Sequence, residues 1–138
     1  MKIIRTILSL ILGIVVGSVV NMGLVTLGSI IIPAPEGVDV NVAESIAASI
    51  HLFKPVNFLF PFLAHALGTL TGALTAYLIA RDYRSQLAYT IGALNFIGGI
   101  AVSMMIPAPA WYLATDLLLA YFPFAYAAIH IGGSIEKN

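Results

Sequence analysis

Residues 60–81 read FPFLAHALGTLTGALTAYLIAR, an apolar run interrupted by a single histidine, His65. At a rise of roughly 1.5 Å per residue, such a run forms a helix about as long as the hydrocarbon core of a bilayer is thick. The run therefore reads as a membrane span. Ala64, Gly68, Gly72, Ala76 and Ala80 recur at every fourth position, which places a strip of small side chains along one side, where another helix can approach closely.

The rest of the chain extends this reading. Of its 138 residues, 60% are hydrophobic and 9% charged, and the mean hydropathy is +1.01, well outside the range of a soluble domain. Four spans use roughly 80 residues and leave only short connections, so one membrane domain over residues 1–138 is expected. Lys+Arg number 6 and Asp+Glu 6, so no basic surface points to nucleic acid. The absence of cysteine removes disulfides, thiolate metal sites and cysteine nucleophiles together. The fold class expected is all-α: four antiparallel membrane helices at about 6–32, 60–80, 87–106 and 111–133. A short amphipathic helix is expected on the outer side at about 42–53.

The first apolar run, from Thr6 to Ile32, exceeds the roughly 7 to 15 residues of a signal sequence and reads as a retained span. Ser9, Gly13, Gly17, Asn21 and Gly28 lie on one of its faces. Pro33 and Pro35 end it. In the following connection, Val42, Ile46, Ile50 and Phe53 form an apolar helical stripe. Asn41 and Glu44 have the spacing of an N-cap and its reciprocal partner. The third span carries Ala88, Gly92, Asn95, Gly99 and Ser103 at helical steps, and Pro107 and Pro109 stop it. In the fourth span Trp111 and Tyr112 mark the outer interface. There Pro123 leaves the Leu119 carbonyl without its usual donor and predicts a bend.

Lys2, Arg5, Arg81, Arg84 and Lys137 fall on one side of a four-span chain and only Lys54 on the other, so the positive-inside rule predicts cytoplasmic termini. Residues 32–35 and 106–109 share the sequence IPAP, and at the same offset Ser29 matches Ser103 and Asn21 matches Asn95. That pattern hints at a parallel repeat of the kind transporters use. Proline at the exit of a span explains it equally well.

Asp116 is the most informative residue, because a carboxylate inside a span costs roughly 2.5 to 3.5 kcal/mol at the helix centre. It lies near the N-terminal end of its helix, where the macrodipole favours negative charge, and His65 comes at a similar depth. The two are candidates for a hydrogen-bonded pair, either holding helices together or relaying a proton. Asn21 and Asn95 are candidates for helix-joining hydrogen bonds or for lining a path. Gly13, Gly17, Gly68, Gly72, Gly92 and Gly99 are the expected packing positions. Glu44 and His51, seven residues apart, would share a helical face and are weak metal candidates near His65 and Asp116, although no motif such as His-Glu-x-x-His occurs. No cofactor is implied. No phosphate loop or nucleophile elbow is present, which argues against a common hydrolase or kinase.

Small multidrug carriers also have four short spans, but they carry a glutamate in the first, where this chain has Asn21 and no acid. The EGVDV loop at 36–40, the surface helix and the run FLAHALGTL at 62–70 resemble an uncharacterised family of short four-span bacterial inner-membrane proteins. The resemblance extends over most of the chain, implies a bacterial inner membrane and brings no activity with it. The expected function is therefore that of a non-enzymatic membrane protein, accessory or oligomer-forming, whose partners are the bilayer and a second copy or another membrane protein. The alternatives are a small proton- or solute-conducting carrier or channel using Asp116 and His65, and an outer-face metal-binding site or membrane enzyme.

Overall fold

The computed structural model describes residues 2–137, and among them all the regular secondary structure is helical, with no strand. Its α-helices are α1 (Lys2–Ile31), α2 (Ala43–Ser49), α3 (Leu59–Ile79), α4 (Arg84–Met105), α5 (Ala110–Leu119) and α6 (Phe122–Ile135). Four stretches are long and apolar enough to cross a membrane: α1, α3 with the turn before it, α4, and α5 with α6.

The helix α3 is the centre of the arrangement and meets α1, α4, α5 and α6. Its small-residue strip is what admits them. Ala64, Gly68, Gly72, Ala76 and Ala80 are all buried. Gly13 and Gly72 face each other so closely that a Cβ on either would lie 2.7 Å from the other's carbonyl oxygen. Gly17 meets Gly68 one turn away, and Gly28 meets Phe60. Residue numbers thus fall along α3 as they rise along α1. On the other side Gly92 of α4 closes against Ala125 of α6, and Gly132 of α6 against the Tyr77 ring.

The buried hydrophobic residues are mostly alanines, while the large aliphatics of α1, Ile7, Ile11, Ile14 and Val15 among them, point outward. This inverts the distribution of a water-soluble protein. In lipid, leucine and isoleucine gain nothing by turning inward, whereas small residues let backbones approach and gain dispersion contacts.

The polar ends are tied locally. Between α3 and α4 the chain turns through Tyr83, a non-glycine residue with φ 56, in the left-handed region that L side chains enter only at a cost. Arg84 then donates through Nε to the Ala80 carbonyl at 2.8 Å, pairs with Glu136 beyond α6, and lies over the Tyr77 ring. At the far end Gly37, with φ 84, occupies a turn closed by Val38 N–H donating to the Pro35 carbonyl.

Several details differ from the sequence expectations. The first helix starts at Lys2, about a turn before Thr6. The surface helix is shorter than 42–53: α2 ends at Ser49, and 3-10 turns follow at Ile50–Leu52 and Pro55–Phe58. Its N-cap is Val42, with no side-chain cap. Asn41 is instead drawn to Asp39, whose Oδ1 accepts from both its backbone N–H and its Nδ2, a local loop bond that competes with capping. The fourth span is broken rather than bent. Its two helices are separated by Ala120 and Tyr121, with Pro123 in the first turn of α6.

Candidate functional site: a buried His-Asp-Tyr cluster

Asp116 lies on α5, three residues before its last residue Leu119, and His65 lies on α3. The structure brings them into contact. His65 Nδ1 is 2.9 Å from Asp116 Oδ1 and 3.0 Å from Oδ2. Asp116 is only 4% exposed, whereas the His65 side chain keeps 24% of its surface.

Tyr121 is the third member, and sequence reasoning missed it. Its hydroxyl donates to Asp116 Oδ2 at 2.8 Å and lies 3.0 Å from His65 Nδ1, while its ring stacks on the imidazole at 5.7 Å. A residue five positions along a continuous helix projects well away from the first, because only steps of three and four share a face. The break at 120–121 changes that. Tyr121 takes φ -111 and ψ -77, right-handed but well away from ideal helical values, and its ring returns to the side of α5 that carries Asp116. The signal available in the sequence was Pro123, which has no N–H to donate to the Leu119 carbonyl four residues earlier and so interrupts the helix there.

The surroundings hold the tyrosine in place. Phe96 of α4 meets its ring edge-on at 5.9 Å, and Gly99 provides the space for its hydroxyl. Ala66 and Ala120 are buried beside it. Chemically, an ionised carboxylate accepts from both neighbours, His65 through Nδ1–H and Tyr121 through O–H. In that tautomer Nε2 is the bare ring nitrogen, and among the described residues it has no hydrogen-bond partner. No buried side-chain nitrogen or oxygen among the described residues lacks a partner.

The other candidates are dispersed. Asn95 Nδ2 donates to Thr69 Oγ1 at 3.0 Å and so links α4 to α3. Asn21 is half-buried next to Gly68 and makes no side-chain hydrogen bond among the described residues. The two serines of the IPAP match behave alike: Ser29 donates to the Thr26 carbonyl and Ser103 to that of Ile100, each at 2.7 Å. The asparagines do not. Glu44 and His51 are both exposed, and the face expected to join them is lost because α2 gives way to a 3-10 turn between them. Among the described residues no three histidine or acidic side chains gather as a metal site would require.

Two shallow cavities lie at the two ends of the bundle, and neither is lined by His65, Asp116 or Tyr121. One is an apolar groove of about 300 Å³ between the Pro55–Phe58 turn and α5, bounded by Phe58, Phe62, Trp111 and Thr115. The other is a polar recess at the opposite end. Compared with protein-family models, curated proteins and solved structures, the chain matches none.

Proposed function

We propose that this chain is an integral membrane protein with four antiparallel spans, without enzymatic activity, serving as an accessory or oligomer-forming component. In this reading the His65-Asp116-Tyr121 cluster is a structural clamp joining α3 to α5 and α6. One observation carries it: the carboxylate is sealed, with both oxygens bonded and 4% of the residue exposed. A carboxylate that must exchange protons with two aqueous phases needs a wet path, and this one is enclosed, with both oxygens held by neighbouring side chains. The membrane assignment is supported by the four apolar helices and by the outward-facing aliphatics. The distribution of Lys2, Arg5, Arg81, Arg84 and Lys137 supports cytoplasmic termini, and the resemblance noted in the sequence supports a bacterial inner membrane. A C-terminal fusion to a reporter that works only in the cytoplasm is expected to be active; activity solely from a periplasmic reporter reverses the orientation.

A second reading, a proton carrier, is favoured by the accessible and unpartnered Nε2 of His65. The two are separated by reconstituting the protein in liposomes under a pH gradient. The clamp predicts flux equal to that of empty vesicles, for wild type and Asp116→Asn alike. Proton flux that wild type supports and folded Asp116→Asn lacks establishes the carrier instead.

A further inference from the structure

The second cavity, about 200 Å³, is lined by Lys2, Arg5, Thr6, Arg81 and Asp82. It forms where the first turn of α1 meets the α3–α4 connection, and one bond fixes that meeting: Arg5 Nε donates to the Ile79 carbonyl at 2.6 Å. Three cations and one carboxylate therefore share a small recess. Among the described residues, the side chains of Lys2, Arg81 and Asp82 make no hydrogen bond or ion pair. Nearby Arg84 differs, since Glu136 pairs with it. The excess of positive charge is thus local to the recess.

The helix itself increases the imbalance. The N-terminus of α1 carries the positive end of a 30-residue dipole and has no acidic residue in its first turn. Lys2 and Arg5 sit there against the field, an arrangement that an anion relieves and an empty recess does not. Directly alongside, Ile3, Ile4 and Ile7 are 75%, 71% and 52% exposed. A ligand that fits both features is negatively charged at its head and apolar in its tail.

We propose that this recess binds the phosphodiester headgroup of an anionic phospholipid, with Arg81 and Lys2 on the phosphate oxygens and the acyl chains along Ile3, Ile4 and Ile7. Basic recesses between membrane helices suit such headgroups. The inference rests on the membrane reading above. Free phosphate offers the same oxygens without the chains, so the two sources are separable.

The test uses the full chain purified in a neutral detergent, with native mass spectrometry of bound lipid after adding phosphatidylglycerol or phosphatidylcholine. Wild type is expected to retain phosphatidylglycerol preferentially. Arg81→Gln or Lys2→Gln should reduce that retention about fivefold each, the effect of one interfacial cation. Lys137→Gln, a cation outside the recess, should leave it unchanged. Equal retention of the two lipids, or an equal loss in Lys137→Gln, overturns the proposal. So does thermal stabilisation by inorganic phosphate, lost in Arg81→Gln, without any lipid preference. Recovery of the chain in the soluble fraction of cells would instead defeat the membrane reading itself.

Discussion

Gly72→Ala will separate α1 from α3 and lower stability by about 2 kcal/mol, the net of an overpacking cost near 3 and a helix-propensity gain near 1. The new Cβ would lie 2.7 Å from the Gly13 carbonyl oxygen, 3.3 Å from Gly17 Cα and 3.3 Å from Ile91 Cγ2. Two of these neighbours are backbone, so no side chain can rotate away to make room, and the helices must part along their length. Dispersion is the main attraction between helices in lipid, and it falls steeply with separation. Gly98 provides the comparison, because a Cβ there meets nothing within 4 Å. Gly98→Ala keeps the propensity gain of about 0.5–1 kcal/mol and should be neutral or slightly stabilising. Unfolding in mixed micelles by denaturing detergent, followed by circular dichroism, ranks the variants. Gly72→Ala proving as stable as Gly98→Ala would remove the close contact on which the α1–α3 packing depends.

Asp116→Ala is expected to cost about 2–3 kcal/mol, and the size of the loss follows from what it strands. Hydrogen bonds between membrane helices average only about 0.6 kcal/mol each, because unfolded segments in lipid also find partners. Their loss alone would be small. Tyr121, however, is 1% exposed, so once the carboxylate is gone its hydroxyl has no water and only His65 Nδ1, 3.0 Å away, to turn to. That contact forces the imidazole to change tautomer beside the cavity left by the lost side chain. His65, which is partly exposed, can relax more easily. Asp116→Asn retains an acceptor and the volume, and should lose about 1 kcal/mol. Tyr121→Phe, which removes one donor and leaves the ring stacked, should lose a similar amount. The same detergent titration measures all three. A stable Asp116→Ala would mean that the cluster is not a clamp, and the carrier reading would gain accordingly.

The cluster also shows how far the linear chain could be read. His65 and Asp116 were recognisable singly, since polar groups within apolar runs are costly and require partners. Their similar depth, counted from the ends of two spans, made pairing a reasonable expectation. Tyr121 was not recognisable in this way: five residues from Asp116, it belongs to another face of any unbroken helix. Proline predicted a bend at this point, but the resulting break depends on how α6 settles against Ala88 and Gly92 of α4 and against Tyr77 of α3. Likewise, Asn41 had the right spacing for a cap, and competition from Asp39 two residues away decided otherwise.

What the sequence by itself determined is four runs long and apolar enough to cross a membrane, and the packing faces, because small residues at every fourth position line up whatever the neighbours are. Only the tertiary structure decided which strips meet, that Gly13 and Gly17 oppose Gly72 and Gly68, and that a hydroxyl from beyond a helix break completes the His-Asp pair. The physical reason is range. Helical periodicity and the cost of burying polarity act within a turn or two of chain, whereas the choice among several compatible small-residue faces depends on all the helices packing at once.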